Sequence, residues 1–197
     1  MKTSNRKTSS SLGKLKAKSL ALCAALLTGC ATQTLPPIAT VPHVDLPRFM
    51  GDWYVIAAIP TAIETEAFNA IESYKLDQDG TIATTFTFRQ GGFDGVEKRY
   101  HPRGFVIENT GNALWGMQFI WPIKADFRIA YLAADYSKTV IARNARDYVW
   151  IMARTPQISD AEFSELTQFI SGLGYDLSKL RKVPQQWATE PASARQK

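Results

Sequence analysis

The chain's most constraining feature is a series of eight short apolar or alternating segments, each closed by a turn signal. They are Trp53–Ile59, Ala70–Leu76, Thr81–Phe88, Val96–Ile107, Ala113–Trp121, Asp126–Ala133, Lys138–Ala142 and Tyr148–Arg154. β-branched and aromatic residues are dense in them, as in strands with one buried face. Asp77-Gln78-Asp79-Gly80, Gly91-Gly92, Asn109-Thr110-Gly111-Asn112 and Asn144-Ala145-Arg146-Asp147 supply turns. Most segments follow one another too closely for crossover helices between parallel strands. An open meander would leave two edges of unpaired backbone groups, and closing the sheet on itself removes both. The pattern predicts an all-β fold, an eight-stranded antiparallel up-and-down barrel.

One α-helix is expected outside the barrel, after the last strand. Ser159-Asp160-Ala161-Glu162 has the form of a capping box. Phe163, Leu166, Phe169, Ile170 and Leu173 then recur at helical spacing, and Gly174 suits the position past the helix end that needs positive φ. The apolar stripe suits packing on the barrel wall. The polar positions Asp160, Glu162 and Glu165 are acidic with no base among them, which disfavours an anionic bilayer as its partner.

The formal net charge of the 197 residues is +5, which would suit a nucleic acid or an anionic membrane. Its distribution argues otherwise. Residues 1–29 hold six basic residues (Lys2, Arg6, Lys7, Lys14, Lys16 and Lys18) and no acid, so the remainder carries a net charge of −1. Basic residues through Lys18, the apolar run Leu20–Leu27 and then Thr28-Gly29-Cys30 resemble a bacterial lipoprotein signal, with cleavage before Cys30. The run is too short to span a bilayer. The resemblance implies that Cys30 carries acyl chains, and Ala31 after it leans toward the outer membrane. With Cys23 removed and Cys30 acylated, no thiol remains for a disulfide or a metal site. Residues 30–44, with Pro36, Pro37 and Pro42, are expected to form an extended, mobile tether. The barrel and helix are expected to occupy 45–184, and 185–197 to form a flexible tail.

Three motifs recur at family-like places. Gly51-Asp52-Trp53-Tyr54 opens the first strand, Arg146-Asp147-Tyr148-Val149-Trp150 leads into the last, and Arg154-Thr155-Pro156 follows it. Together they resemble the three sequence blocks of the lipocalins. With the signal at Cys30, the match is to the bacterial outer-membrane lipocalins, a group that also resembles apolipoprotein D. The resemblance covers roughly residues 44–184. It implies that Gly51, Trp53, Tyr54, Asp147, Tyr148 and Arg154 are structural, with Arg154 packed on the Trp53 indole. A guanidinium on an indole face contributes about 0.5–2 kcal/mol. The group usually has an acid after Trp-Tyr, where Val55 stands here.

A barrel of eight strands is wide enough for one small ligand. Residue parity puts Phe86 and Phe88 on one face, as it does Trp115, Met117, Phe119 and Trp121; Phe127, Ile129 and Tyr131; and Tyr148, Trp150 and Met152. If these faces point inward, Phe86, Phe88, Trp115, Met117, Phe119, Phe127, Ile129, Tyr131 and Trp150 are candidate ligand contacts. Parity alone does not choose the face of each strand. Arg89, Lys98, Arg99, Arg103 and Arg128 offer a cation at the mouth or solvated strand faces. Glu64 and Glu66 in the first loop read as solvated lid residues.

The expected function is a membrane-anchored, lipid-binding protein of the bacterial envelope, taking fatty acids, lysophospholipids or similar apolar ligands. No cofactor, metal, catalytic residue or nucleic-acid partner is expected, and the outer faces leave a second copy of the chain open as a partner. The alternative is an enzyme on the same barrel, which would have to draw on His101 or Tyr131. A third reading is an envelope scaffold with a filled interior.

Overall fold

A computed structural model describes residues 35–187 and Met1. The expected signal segment, Cys30 and the tail beyond Trp187 lie outside the described residues. Ten strands form one antiparallel sheet: β1 (Gly51–Ile59), β2 (Ala67–Leu76), β3 (Thr81–Gln90), β4 (Glu97–Tyr100), β5 (Arg103–Val106), β6 (Leu114–Ile120), β7 (Ile123–Leu132), β8 (Lys138–Ala142), β9 (Val149–Ala153) and β10 (Arg181–Lys182). Each of β1 to β8 is joined to its successor by a turn or short loop, and β9 returns to pair with β1, so the sheet closes.

The staves of the barrel number eight, because β4 and β5 are two halves of one. Both pair with β3, β4 on its last residues and β5 on its first, and they are separated at His101-Pro102. Proline has no N–H to give the ladder, so the stave breaks there. A further departure lies between β1 and β2, which pair only over Gly51–Tyr54 and Ser73, Tyr74 and their neighbours. Toward the other end the C-terminal segment fills the gap. β10 pairs with Ala57 and Ala58, Val183 N–H donates to the Ile56 carbonyl at 2.9 Å, and Asn69 N–H donates to that of Pro184 at 2.9 Å. Gln185 Nε2 donates to the Val55 carbonyl at 2.8 Å, and Trp187 packs edge-on against Tyr54. Residues 185–187 are therefore built into the wall, contrary to the flexible tail expected from residue 185.

Residues 36–44 also differ from the expected mobile tether. They are extended but held along the barrel. Asn144 Oδ1 accepts from Ile38 N–H at 2.8 Å, Arg128 Nη1 donates to the Ile38 carbonyl at 3.0 Å, and Val41 N–H donates to the Ile129 carbonyl at 2.9 Å. Proline excludes these residues from a regular ladder, yet their remaining amides and carbonyls find partners on strands and turns. At Gly111 a β-carbon would collide with the Pro42 carbonyl, so the strap's close approach requires glycine there.

Two apolar clusters lie on the two faces of the wall. Trp53, Val55, Tyr74, Phe86, Phe88, Trp115, Phe127 and Met152 are among those filling the interior. Ile56, Val140, Ala142 and Ile151 face outward onto α2 (Asp160–Gly172), meeting Leu166 and Ile170. The Ser159 and Glu162 capping box forms in both directions, and Lys138 Nζ pins Glu162 to β8 at 2.6 Å. Gly174 takes a φ of +90° past the helix end.

Candidate ligand-binding site

The barrel has a sealed end and an open end. α1 (Leu46–Phe49), a single turn, plugs the first. Leu46 accepts from Met50 N–H, but the carbonyls at the end of so short a helix lack a backbone partner, and Arg154 gathers them. Nη2 lies 2.9 Å from the carbonyls of Arg48, Phe49 and Met50, and Nη1 donates to that of Asp52 at 2.8 Å. The same guanidinium lies 3.8 Å from the centroid of the Trp53 ring, whose Nε1 donates to Phe49 at 2.9 Å. Gly51 has a φ of +91°, and a β-carbon there would face Arg154 Nη1 at 3.5 Å. Above this seal Trp115 meets Phe49 and Tyr74 edge to face, and it stacks on Phe127 with centroids 5.0 Å apart.

A cavity of about 200 Å³ lies inside the barrel toward the open end. Its wall is overwhelmingly apolar: Ile63, Phe86, Met117, Phe119, Ala125, Phe127, Tyr148 and Trp150, with Thr61, Glu64, Glu72, Asp126 and Arg143 as its polar members. Of the ligand contacts expected from sequence, Phe86, Met117, Phe119, Phe127 and Trp150 line this space. Phe119 is half exposed at the mouth, and Trp121 is 82 % exposed at the hairpin tip beyond it, so it does not share the inward face. Phe88, Trp115 and Ile129 are interior but packed below or beside the cavity.

Tyr131 lies elsewhere. Its ring packs on Phe169 of α2, outside the barrel, with centroids 5.7 Å apart. The β7–β8 register shifts between Ile129 and Tyr131. The extra residue reverses the alternation, so Ile129 points in and Tyr131 points out. His101 is exposed on the barrel, 3.3 Å from Thr85 Oγ1. Four of the five basic candidates are engaged locally: Arg89 and Arg99 with Glu97, Arg103 with Asp77 and Asp79, Arg128 with Asp126; Lys98 is exposed on β4.

The cavity's acids were the least expected feature. Glu64, expected to be solvated, is only 6 % exposed. It accepts from Thr61 N–H at 2.8 Å and sits 3.2 and 3.3 Å from Trp150 Nε1 through its two oxygens. Glu72 is 8 % exposed, and Tyr74 Oη donates to it. Burial pushes the Glu72 carboxyl up to about 7, with the nearby Glu64 charge adding to the rise and the Tyr74 bond opposing it. Burial raises Glu64 as well, against its hydrogen bonds from Thr61 and Trp150. Tyr74 is driven well above its ordinary value by burial and then by Glu72. The available signal was parity: Ala70, Glu72 and Tyr74 alternate on β2, and an inward Tyr74 carries Glu72 inward with it.

The rim is braced by the second motif. Asp147 accepts from Tyr148 N–H at 3.0 Å and pairs with Arg143 at 3.1 Å. Arg146 donates to the Leu173 carbonyl at 3.1 Å, and Tyr175 Oη accepts from Arg143 N–H at 2.8 Å. Tyr175, assigned no role from sequence, thus ties the segment after α2 to the open-end turn.

The sequence model of the lipocalin-like domain family matches residues 44–185, most of the chain and the whole barrel. The chain belongs to the lipocalin-like family. It is 27 % identical over 184 residues to the outer membrane lipoprotein Blc of Escherichia coli K12, covering 88 % of this chain and 95 % of that one. It is 29 % identical over 159 residues to temperature-induced lipocalin-1 of Arabidopsis thaliana, covering 74 % and 81 %. Among solved structures, insecticyanin from the tobacco hornworm Manduca sexta superposes with a TM-score of 0.60 at 18 % identity, covering 78 % of this chain and 86 % of that one. Lobster apocrustacyanin A1 gives 0.57 at 14 %, covering 73 % and 81 %. These structures share the lipocalin barrel with this chain. In this lipocalin the three sequence motifs brace the sealed end and the rim, and the cavity's chemistry is set by the first loop and the inward strand residues.

Proposed function

We propose that this lipocalin is a lipid-anchored binding protein of the bacterial envelope, attached to the outer membrane through acyl chains on Cys30. It holds fatty acids, lysophospholipids or similar amphiphiles for storage, transport or membrane maintenance. The observation that carries the reading is the apolar cavity inside the open end of the barrel, walled by Phe86, Met117, Phe127 and Trp150. Its mechanism is burial without covalent chemistry. Each methylene transferred from water contributes about 0.8 kcal/mol before ordering costs, so a long acyl chain supports micromolar binding or better. The relationship to Escherichia coli outer membrane lipoprotein Blc, over 95 % of that protein, supports the envelope location and the anchor.

Trp150 lines the cavity, so its emission reports occupancy. Titration with lysophospholipid or fatty acid should give a saturable change, lost or weakened in Phe127→Ala. No saturable change, with no lipid co-purifying, would overturn the reading. The anchor has its own test: Cys30→Ser should release the protein from the membrane fraction or block its processing, and retention there as processed protein would count against acylation.

A further inference from the structure

We propose that the cavity receives the ammonium end of an amine-bearing amphiphile, held between the buried carboxylates of Glu64 and Glu72 and the aromatic rings around them. This rests on the barrel's holding an apolar ligand, and it names which head group that ligand carries inward.

The charge inventory of the cavity is lopsided. Its ionisable members are Glu64, Glu72, Asp126, Arg143 and the phenol of Tyr148. Asp126 is matched by Arg128 at 3.0 Å, and it also accepts from Asn144 N–H at 2.8 Å. Arg143 is matched by Asp147 at 3.1 Å and lies over the Tyr148 ring at 5.0 Å. Among the described residues Glu64 and Glu72 are bonded only to neutral donors: Thr61 N–H and Trp150 for the first, Tyr74 for the second. Two carboxylates buried beside one cavity without a matched cation are expensive to ionise, and a cation entering that space relieves them both.

The walls point the same way. Phe86, Phe127, Tyr148 and Trp150 present π faces or edges around the space. An ammonium among aromatic rings gains cation–π attraction that strengthens as water is excluded. A carboxylate head meets the opposite field, like charge from Glu64 and Glu72, and the two buried donors left without a partner on this wall among the described residues, Thr61 Oγ1 and Arg143 Nε, are one neutral hydroxyl and one N–H of a guanidinium already matched by Asp147. An aliphatic amine or a lipid with an ethanolamine or choline head satisfies both the acids and the rings, and its chain then extends along the apolar wall toward Phe119 and the mouth.

The experiment compares dodecylamine, dodecanol and laurate, three heads on one chain, below their micellar concentrations at slightly alkaline pH. Binding to the chain from residue 30 onward, carrying Cys30→Ser and expressed without residues 1–29, is followed by tryptophan emission and calorimetry. The expected order is amine, then alcohol, then carboxylate, with the amine at least about ten-fold tighter than laurate. Glu72→Gln, which can keep a bond to Tyr74, should weaken amine binding about ten-fold and leave laurate unchanged or tighter. Glu64→Gln serves as the second variant, and the melting temperature of each shows that it is folded. Laurate binding as tightly as the amine overturns the assignment, as does an amine preference that survives both substitutions. In either case the lipid-binding function stands. If none of the three heads saturates the protein, that broader function falls, and the assignment with it.

Discussion

The two ends of this barrel are built on opposite rules. At the sealed end the charged group, Arg154, is matched to four backbone carbonyls and a ring face. In the cavity between the seal and the open end the buried acids, Glu64 and Glu72, have only neutral hydrogen-bond donors among the described residues. The first arrangement lowers the energy of one closed structure. The second holds unsatisfied electrostatic capacity beside an apolar space, which is what a ligand needs in order to add anything. Substitutions at the sealed end should therefore act on folding, and those at the open end on binding or on its pH dependence.

The largest effect is expected from Trp53→Ala. It removes a fully buried indole that supports Phe49, holds the Arg154 guanidinium and donates to the plug. Large aromatic truncations in a core cost about 3–5 kcal/mol, so thermal denaturation should show a steep loss of Tm or no folded population. Arg154→Lys comes next. A lysine keeps the charge but cannot reach the plug carbonyls with a planar fork or cover the indole, so a loss of about 2 kcal/mol is expected by denaturant titration. If Arg154→Lys is as stable as the parent, the sealed end owes its strength to apolar packing alone.

Glu72→Gln should act with the opposite sign. In the folded protein its carboxyl titrates at about 7, above an ordinary value of 4.5. The native state therefore holds a proton that the unfolded chain has released, and stability falls as pH rises from 4.5 toward 7. Below that window both states are protonated and the residue carries no penalty. Glutamine removes the loss, so the variant should match the parent near pH 4 and exceed it above neutrality, by up to roughly 3 kcal/mol. Glu64 is the other charge that raises Glu72, so Glu64→Gln should shrink the effect. Melting curves across this range check the sign, and a variant no more stable above neutrality would mean that Glu72 has found compensation in the cavity.

Much of this contrast was legible in the sequence, and the illegible part has definite physical causes. Strand period and turn residues were sufficient for the closed antiparallel barrel, since closure is the way to hide the edges of an eight-strand meander. The packing of α2 followed from its cap and its stripe of Phe163, Leu166 and Ile170. Bulges were invisible, because an added residue changes parity without changing composition. The strap at 36–44 was read as mobile since its prolines exclude a ladder, while its real partners, Asn144 and Arg128, are about 90 or more residues away in the chain. Glu64 was misjudged for a similar reason: a carboxylate in a polar loop looks solvated until the loop folds inward onto Trp150.

The smallest effect tests the bulge itself. Tyr131 and Phe127 lie four residues apart on β7, and simple alternation places them on one face. The register shift after Ile129 puts Phe127 beside the cavity and Tyr131 against Phe169 of α2. Tyr131→Phe removes a hydroxyl on the outer face and keeps the ring, so it should leave ligand affinity unchanged and move stability by no more than about 0.5 kcal/mol. Phe127→Ala, on the other side of the same strand, should weaken binding about ten-fold or more, since it strips a ring from the cavity wall and from its stack on Trp115. The pair is read best as a ratio of affinities measured by tryptophan emission at one pH. A Tyr131→Phe variant that binds as poorly as Phe127→Ala would place residue 131 inside and remove the bulge from the account; unchanged affinity with a slightly altered melt locates its hydroxyl at the helix interface, where it has no access to the ligand.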